Sequence, residues 1–482
     1  MCSILGSILL VVFVSSAHAQ RSSTAEVDAE IARGAAAERQ NDLAAALSAY
    51  ERAIALNPSR ADAYDRRGFV LGRLGRTAEA IAAFERAVTL APTSFEAQYH
   101  LGATRWWTKD LDGALVALQA AVRLQPAHAE ARYYLGLTLK QQGRRVDALE
   151  HLREAVRLNP RLVPPHLQLG LVLQELGDVD GAVEALEAAA AIEPASVDVQ
   201  NSLGLALVQK GDGDRAVSTF RTLVASQPTN VTARLNLGTA FLQRGDLDAA
   251  TAVFREAIAL QPDNAEAHYN LGLALKQKDA FDAAEVELRR ATQLDTALSE
   301  APFTLGVVLW QTGRAVEAVR AFRDAIARRA DNADAHYMLG TVLKQQGDSA
   351  AAVTEFRMTI EHRPTSAEAQ LSLGQVLTQL GQKDEADKAF AEAARLNQRK
   401  SDAQASVFAV AAGKEKLKAA DIPGAIGALR EAVRLAPDNP QAHYQLALAL
   451  QRSGARADAA VHFAEAQKLA PYLRPPAIDA HR

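Results

Sequence analysis

Ala265-Glu266-Ala267-His268-Tyr269-Asn270-Leu271-Gly272-Leu273-Ala274-Leu275 is followed, a short break later, by Ala284, Leu288 and Ala291. Leu271 and Leu275, then Ala284, Leu288 and Ala291, recur three or four residues apart, which places them on one face of each of two helices. Pro262, just upstream, belongs to a series. Pro58, Pro92, Pro126, Pro160, Pro194, Pro228 and Pro262 are evenly spaced, each one 34-residue period after the last. Pro364 lies three such periods beyond Pro262, and Pro437 and Pro471 stand one period apart. A fixed period of this length is the mark of a repeat array, in which each unit buries its apolar face against its neighbours.

With each proline set at slot 32, repeats start at Val27, Ala61, Phe95, Ala129, Val163, Val197, Val231, Ala265, Ser299, Ala333 and Ala367, then at Ser406 and Pro440. Slot 20 is Ala in all thirteen, from Ala46 to Ala459, and slot 8 is Gly in all but the last, which has Ala447. Slot 24 is always Phe, Tyr or Leu, as at Tyr50, Phe84, Leu152 and Phe254. Small side chains let two helix backbones approach, and a large apolar side chain fills the space beside them. Gly143, Gly177, Gly245, Gly313 and Gly347 separate the two halves as turn signals. Each unit therefore reads as helix, tight turn, helix, linker.

The 265–275 stretch resembles the opening helix of the tetratricopeptide repeat (TPR), and Ala284, Leu288 and Ala291 match its second helix. The resemblance runs from Val27 to about Leu473 and implies an all-α, right-handed superhelical solenoid of about thirteen 34-residue repeats. The expected organisation is a signal peptide over 1–19, a linker over 20–26, eleven in-register repeats over 27–400, a break at 401–405, two repeats over 406–473 and a Pro-containing tail over 474–482. Ser401 to Ala405 are five extra residues. They read as a tolerated loop, with a kink that reorients the last two repeats as the alternative. The tail lacks an evident capping helix, so the final apolar face is covered by the tail, paired with a partner, or bare.

Met1 to Gln20 include no Lys, Arg, Asp or Glu, and Ile4 to Val14 is an apolar run. Ser15 and Ser16 follow, then Ala17-His18-Ala19, a small-x-small site that places cleavage after Ala19. The run is too short to span a bilayer comfortably, and retention as a poor anchor is the alternative to cleavage. The expectation is export to a periplasm or the extracellular space, with no integral membrane segment once the leader is removed. Met1 to Ser7 has no basic side chain, which departs from the usual leader pattern. Lys plus Arg number 53 against 57 Asp plus Glu, a net charge of −4 that argues against a nucleic-acid binder. The single cysteine, Cys2, excludes an internal disulfide and any cysteine-cluster metal site.

In proteins with this resemblance the first helices line a concave side, with slots 2, 5, 9, 12 and 13 turned inward. Slot 5 holds Tyr99, Tyr133, Tyr269, Phe303, Tyr337 and Tyr444. Slot 12 holds Trp106, Lys140, Lys276, Trp310 and Lys344, and slot 13 holds Trp107, Gln141, Gln277, Gln311 and Gln345. Tyr and Trp supply contact area at low entropic cost, Gln offers a donor and an acceptor to a peptide backbone, and Lys attracts carboxylates. The pattern suits an extended peptide; packing of the slot-5 rings between repeats is the competing reading. Asn236 and Asn270 match the slot-6 Asn ladder of O-GlcNAc transferases, but His100, Tyr134, Ser202 and Met338 occupy that slot elsewhere. That role is not carried over. The slot-5 Lys and slot-9 Asn of the chaperone-tail clamp are also missing.

No H-E-x-x-H, G-x-S-x-G or Walker A pattern is present. His166, His268, His336 and His443 share slot 4 and are whole repeats apart, so they cannot bind one metal. The chain reads as a non-enzyme without cofactor: an exported scaffold that holds extended segments or helices of protein partners. Two alternatives stand beside it. One is an accessory subunit recruiting substrate for a glycosyltransferase or polysaccharide-export machine. The other is a structural element that self-associates through its final face.

Overall fold

The computed structural model describes residues 24–473 and Pro475, so the leader segment, the start of the linker and most of the tail lie outside it. Two compact units are present, one ending at Glu193 and the other starting at Pro194. Nothing local marks that division, since Pro194 is an ordinary slot-32 proline.

In the first unit the helices are α1 (24–39), α2 (Leu43–Leu56), α3 (Ala61–Arg73), α4 (Thr77–Leu90) and α5 (Phe95–Trp107). Then come α6 (Leu111–Leu124), α7 (Ala129–Gln141), α8 (Arg145–Leu158), α9 (Val163–Glu175) and α10 (Val179–Ile192). The second unit opens with α11 (Val197–Lys210), α12 (Gly213–Ser226), α13 (Val231–Arg244), α14 (Leu247–Leu260) and α15 (Ala265–Gln277). It continues with α16 (Phe281–Leu294), α17 (Glu300–Gln311), α18 (Ala315–Arg328), α19 (Ala333–Gln345) and α20 (Ser349–His362). Last are α21 (Ala367–Gln379), α22 (Lys383–Lys418), α23 (Ile422–Leu435), α24 (Pro440–Arg452) and α25 (Arg456–Leu469). The all-α helix-turn-helix solenoid expected from the period is what each unit contains.

The slots have clear structural duties. Slot 8 has no room for a side chain: a Cβ built on Gly68 would lie 2.7 Å from Cε1 of Phe84, the slot-24 ring of the same repeat. Slot-24 rings are correspondingly enclosed, with Tyr50, Phe220, Phe254, Phe322 and Phe356 all at 0% exposure. Slot 15 is left-handed throughout the described turns, with Gly at nine positions and Asn41, Lys109, Asp279 and Ala420 at the others. Asn and Asp accept that conformation at modest cost, whereas Ala420 carries strain of about 1 kcal/mol. Where slot 16 is Asp its carboxylate caps the second helix, as Asp110 accepts from the Gly113 amide at 3.0 Å and Asp178 from the Gly181 amide at 3.0 Å. Where it is Arg, Ala or Gln, as at Arg76 and Ala280, no side chain caps the helix.

The slot-4 residues do more than pack. His166, His268, His336 and His443 are buried, and Nε2 of each faces the carbonyl of the preceding linker: Pro160 at 3.0 Å, Pro262 at 2.9 Å, Ala330 at 3.0 Å and Pro437 at 3.0 Å. Gln98, Arg132 and Gln200 donate to Pro92, Pro126 and Pro194 in the same way. A linker carbonyl left outside the helix ladder thus gains a side-chain partner, whether the residue is Pro or, as at Ala330, Ala.

The expected loop at 401–405 is helix. α22 runs unbroken for 36 residues and joins the second helix of repeat eleven to the first helix of repeat twelve. Slot 32 is Gln398 here, and no Pro or Gly interrupts the stretch until Gly413. The Gln398 amide bonds to the Asp402 carboxylate one turn on, at 2.9 Å. Strong helix formers and the lack of a breaker allow the chain to continue rather than turn. The buried residues are Ala386, Ala389, Ala393 and Leu396 in the first half and Ser406, Val410, Gly413 and Leu417 in the second. The middle segment therefore crosses between two packing partners, α21 before and α23 after. Ser406 anchors the second half by donating to the Ala432 carbonyl at 2.8 Å and accepting from Asn439 at 2.9 Å.

Candidate functional site

Two adjoining cavities in the first unit collect most of the slot-predicted residues of that unit. The larger, of about 730 Å³, is lined from α3, α4, α5 and α7 by Phe69, Arg73, Phe84, Tyr99, His100, Trp107 and Glu130, among others. The smaller, of about 320 Å³, is lined by Trp106, Tyr133, Leu137, Lys140, Gln141, Arg145, Gln168 and Glu175. Trp106 and Trp107 stand side by side, ring centroids 5.4 Å apart and edge to face, with one ring on each cavity. Trp107 is 70% exposed, far from the state of a core tryptophan.

An aromatic network stiffens this wall. Tyr99 stacks on Phe95 with centroids 5.8 Å apart and meets Tyr134 edge-on at 6.0 Å. Tyr134 also packs edge-on against Trp106 at 5.5 Å and Tyr133 at 5.3 Å. The Tyr99 hydroxyl donates to Glu130 at 3.1 Å. Burial first, then the Glu130 charge, holds that hydroxyl well above the ordinary tyrosine range. Burial and then Tyr134 push Tyr133 up to about 12. Both phenols are consequently protonated donors at any physiological pH. His100 Nδ1 lies 2.8 Å from the buried Asp65 carboxylate, and its ring is tilted between Phe69 and Phe84. The indole N–H of Trp106 is enclosed without a hydrogen-bond partner.

Lys140 Nζ is 3.1 Å from Gln168 Oε1 and 3.6 Å from Glu175, and Arg145 Nε is 2.5 Å from the other Glu175 oxygen. Two cations thus share one carboxylate. Phe69, His100, Tyr134, Arg145, Gln168 and Glu175 are not among the groove candidates that the sequence singles out. Slots 6 and 9 of neighbouring repeats supply Phe69, His100, Tyr134 and Gln168, so extending the slot reading across repeat boundaries finds them.

In the second unit the predicted residues behave differently. Asn236 donates to Asn201 at 2.7 Å, Trp310 donates its indole N–H to Gln345 at 2.9 Å, and Lys344 donates to Gln375 at 2.5 Å. These side chains bridge successive repeats. Phe303 packs on Phe322, Tyr337 on Phe356 and Tyr444 on Phe463, with centroids 6.0, 5.8 and 5.7 Å apart. Tyr269, half-buried, bonds to Thr304. Phe303, Tyr337 and Tyr444 thus pack on the slot-24 ring of their own repeat, and Tyr269 alone of the four reaches the next repeat. Asn270 and Lys276 are half-buried, and Gln277 and Gln311 are exposed. A separate cleft of about 700 Å³ lies beside the crossing segment of α22, between Leu396, Arg399, Asp402, Leu435 and Pro437. Among the described residues no group of His, Cys, Asp and Glu could hold a metal ion, and no helix is long and apolar enough to cross a membrane.

Stacked helix pairs of this construction define a helical-repeat scaffold. Models of the tetratricopeptide repeat match residues 34–99, 99–162, 167–231, 265–297, 303–360 and 337–405, and a further TPR repeat model matches 238–279 and 413–454. The chain belongs to the tetratricopeptide repeat family, whose fold typically mediates protein–protein interaction. Among solved structures it is similar to MamA, at 28% identity over 34% of this chain and 96% of that one, with a TM-score of 0.33. It is also similar to the Cut9–Hcn1 hetero-tetramer of the APC/C, at 15% identity over 93% of this chain and 94% of that one, with a TM-score of 0.35. YrrB, described as a TPR protein with an unusual peptide-binding site, is 19% identical over 37% of this chain and 91% of that one, with a TM-score of 0.33. No curated protein matches the chain.

Proposed function

We propose that this chain is an exported, non-catalytic scaffold that holds an extended segment of a protein partner against the first helices of repeats two to five. The observation that carries the reading is the pair of cavities around Trp106 and Trp107, where an exposed indole and half-buried phenols line open space. Large amphipathic rings on rigid helices are the side chains that dominate binding energy at protein interfaces. The apolar run Ile4 to Val14 and Ala17-His18-Ala19 support export. The aromatic wall belongs to the first unit, so that unit is the receptor and the second supplies further surface.

Two measurements test this. N-terminal sequencing of the chain from the producing cell's envelope should begin at Gln20; an intact Met1 in a cytosolic fraction refutes export. Affinity capture with the wild type and with Trp107→Ala should yield partners lost by the variant. Trp107 is exposed, so its truncation leaves the core intact. Identical capture by both forms refutes the cleft as the binding site.

A further inference from the structure

Resting on the cleft reading above, we infer that the bound segment carries a bulky apolar side chain for the larger cavity and, one to three residues away, an Asp or Glu side chain for the smaller one. In the larger cavity the lining charges balance, Arg73 against Glu130, and the main polar groups each have a partner. Arg73 donates to Asn41, Tyr99 donates to Glu130, and His100 bonds to Asp65. The surface left uncovered is largely apolar, above all Trp107 and Phe69, which stay exposed. An apolar side chain covers that surface without breaking a hydrogen bond, whereas a polar one set against the rings would be desolvated.

The smaller cavity has the opposite character. Lys140 and Arg145 converge on the single carboxylate of Glu175, so the lining keeps one net positive charge. An ammonium has three N–H donors and a guanidinium five, more than Gln168 and Glu175 accept between them. A second carboxylate completes the set by charge complementarity, and charge-assisted bonds to it are the stronger kind. Trp106 and Trp107, one on each cavity with centroids 5.4 Å apart, put both cavities within reach of one short segment. An extended chain advances about 3.3 Å per residue, so the anchor and the acid lie within a few residues of each other.

The probe is a library of random dodecapeptides fused through their C-termini to a phage coat protein, so no selected peptide offers a terminal carboxylate. It is panned against the full chain, the Trp107→Ala variant, and Lys140→Glu/Arg145→Glu. Circular dichroism verifies the helicity of each. Should the double variant lose helicity, Arg145→Glu alone, at an exposed position, replaces it. The expected result is enrichment of a bulky apolar residue within three positions of Asp or Glu, with enrichment turning to Lys or Arg on charge reversal. In fluorescence polarisation, Glu→Gln in the selected peptide should weaken binding about tenfold, as for a lost charged hydrogen bond. Selected peptides that need Trp107 but show no acidic preference, or one unmoved by charge reversal, overturn this inference and leave the cleft reading standing. Failure to select any peptide, or selection indifferent to Trp107→Ala, overturns both.

Discussion

Replacing Gly306 by Ala tests the packing rule on which the array depends. A Cβ at Gly306 would lie 2.6 Å from Cε1, 2.7 Å from Cδ1 and 3.0 Å from Cζ of Phe322. That ring is fully enclosed, and Phe303 packs against it with centroids 6.0 Å apart, so it has nowhere to swing. Overpacking of this kind costs about 1–3 kcal/mol, and the enclosure places Gly306 at the upper end. Ala is the better helix former by about 1 kcal/mol, which offsets part of the cost. The net expectation is a loss of about 2 kcal/mol, or roughly a 30-fold rise in amide exchange where opening is local. The control is Gly427→Ala, a helical glycine whose Cβ would meet nothing within 4 Å and which should gain up to about 1 kcal/mol. Hydrogen exchange read on α17 and α18 is preferred to a global melt, because repeat arrays open by parts. The last repeat shows the limit of the rule: Ala447 stands at slot 8, and the facing Phe463 is 7% exposed where Phe322 is at 0%. Unchanged or slower exchange in α17 and α18 of Gly306→Ala would refute the close-approach account.

Two further outcomes are expected. Burial, and then the charge of His443, depress the pKa of His462, whose Nδ1 is 3.0 Å from His443 Nδ1. Below the ordinary histidine value of about 6.5 the unfolded chain takes up a proton that the folded ring resists, so this repeat is fully stable above that pH and weakens below it. Exchange in α24 and α25, corrected for its intrinsic pH dependence, should therefore quicken relative to α17 between pH 7.5 and 5.5, and His462→Gln should flatten the difference; a constant ratio in the wild type counts against it. Ala403→Pro, in the crossing segment of α22, should cost about 3 kcal/mol locally and strip protection from the centre of that helix, while α21 and α24 keep theirs. An unaffected exchange pattern would mean that residues 401–405 form the loop that the period alone suggests.

Much of the fold is legible because every slot is a local demand repeated down the chain. Gly at slot 8 and Phe, Tyr or Leu at slot 24 state a contact between two helices of one repeat, and a left-handed residue at slot 15 states the turn. The site is legible only in part. Slots 5, 12 and 13 direct attention to Tyr99, Trp106, Trp107, Tyr133, Lys140 and Gln141, which the structure gathers around two cavities. The same slots in repeats nine and ten hold residues that pack on Phe322 and Phe356 or bridge to the next repeat. Slot identity says which side of a helix a residue occupies; what it touches depends on the residues that its own and the neighbouring repeat place at other slots.

The helices, their turns and their pairing follow from the sequence by itself, since they rest on contacts within a single repeat period. Tertiary structure alone decided the rest. It made one helix of residues 383–418, because packing against α21 and then α23 rewards both halves; Thr296 and Ala330 also lack Pro at slot 32, yet the chain turns there. It also set Lys140 and Arg145 on Glu175 and His100 on Asp65, partners from successive repeats that meet only once those repeats stack.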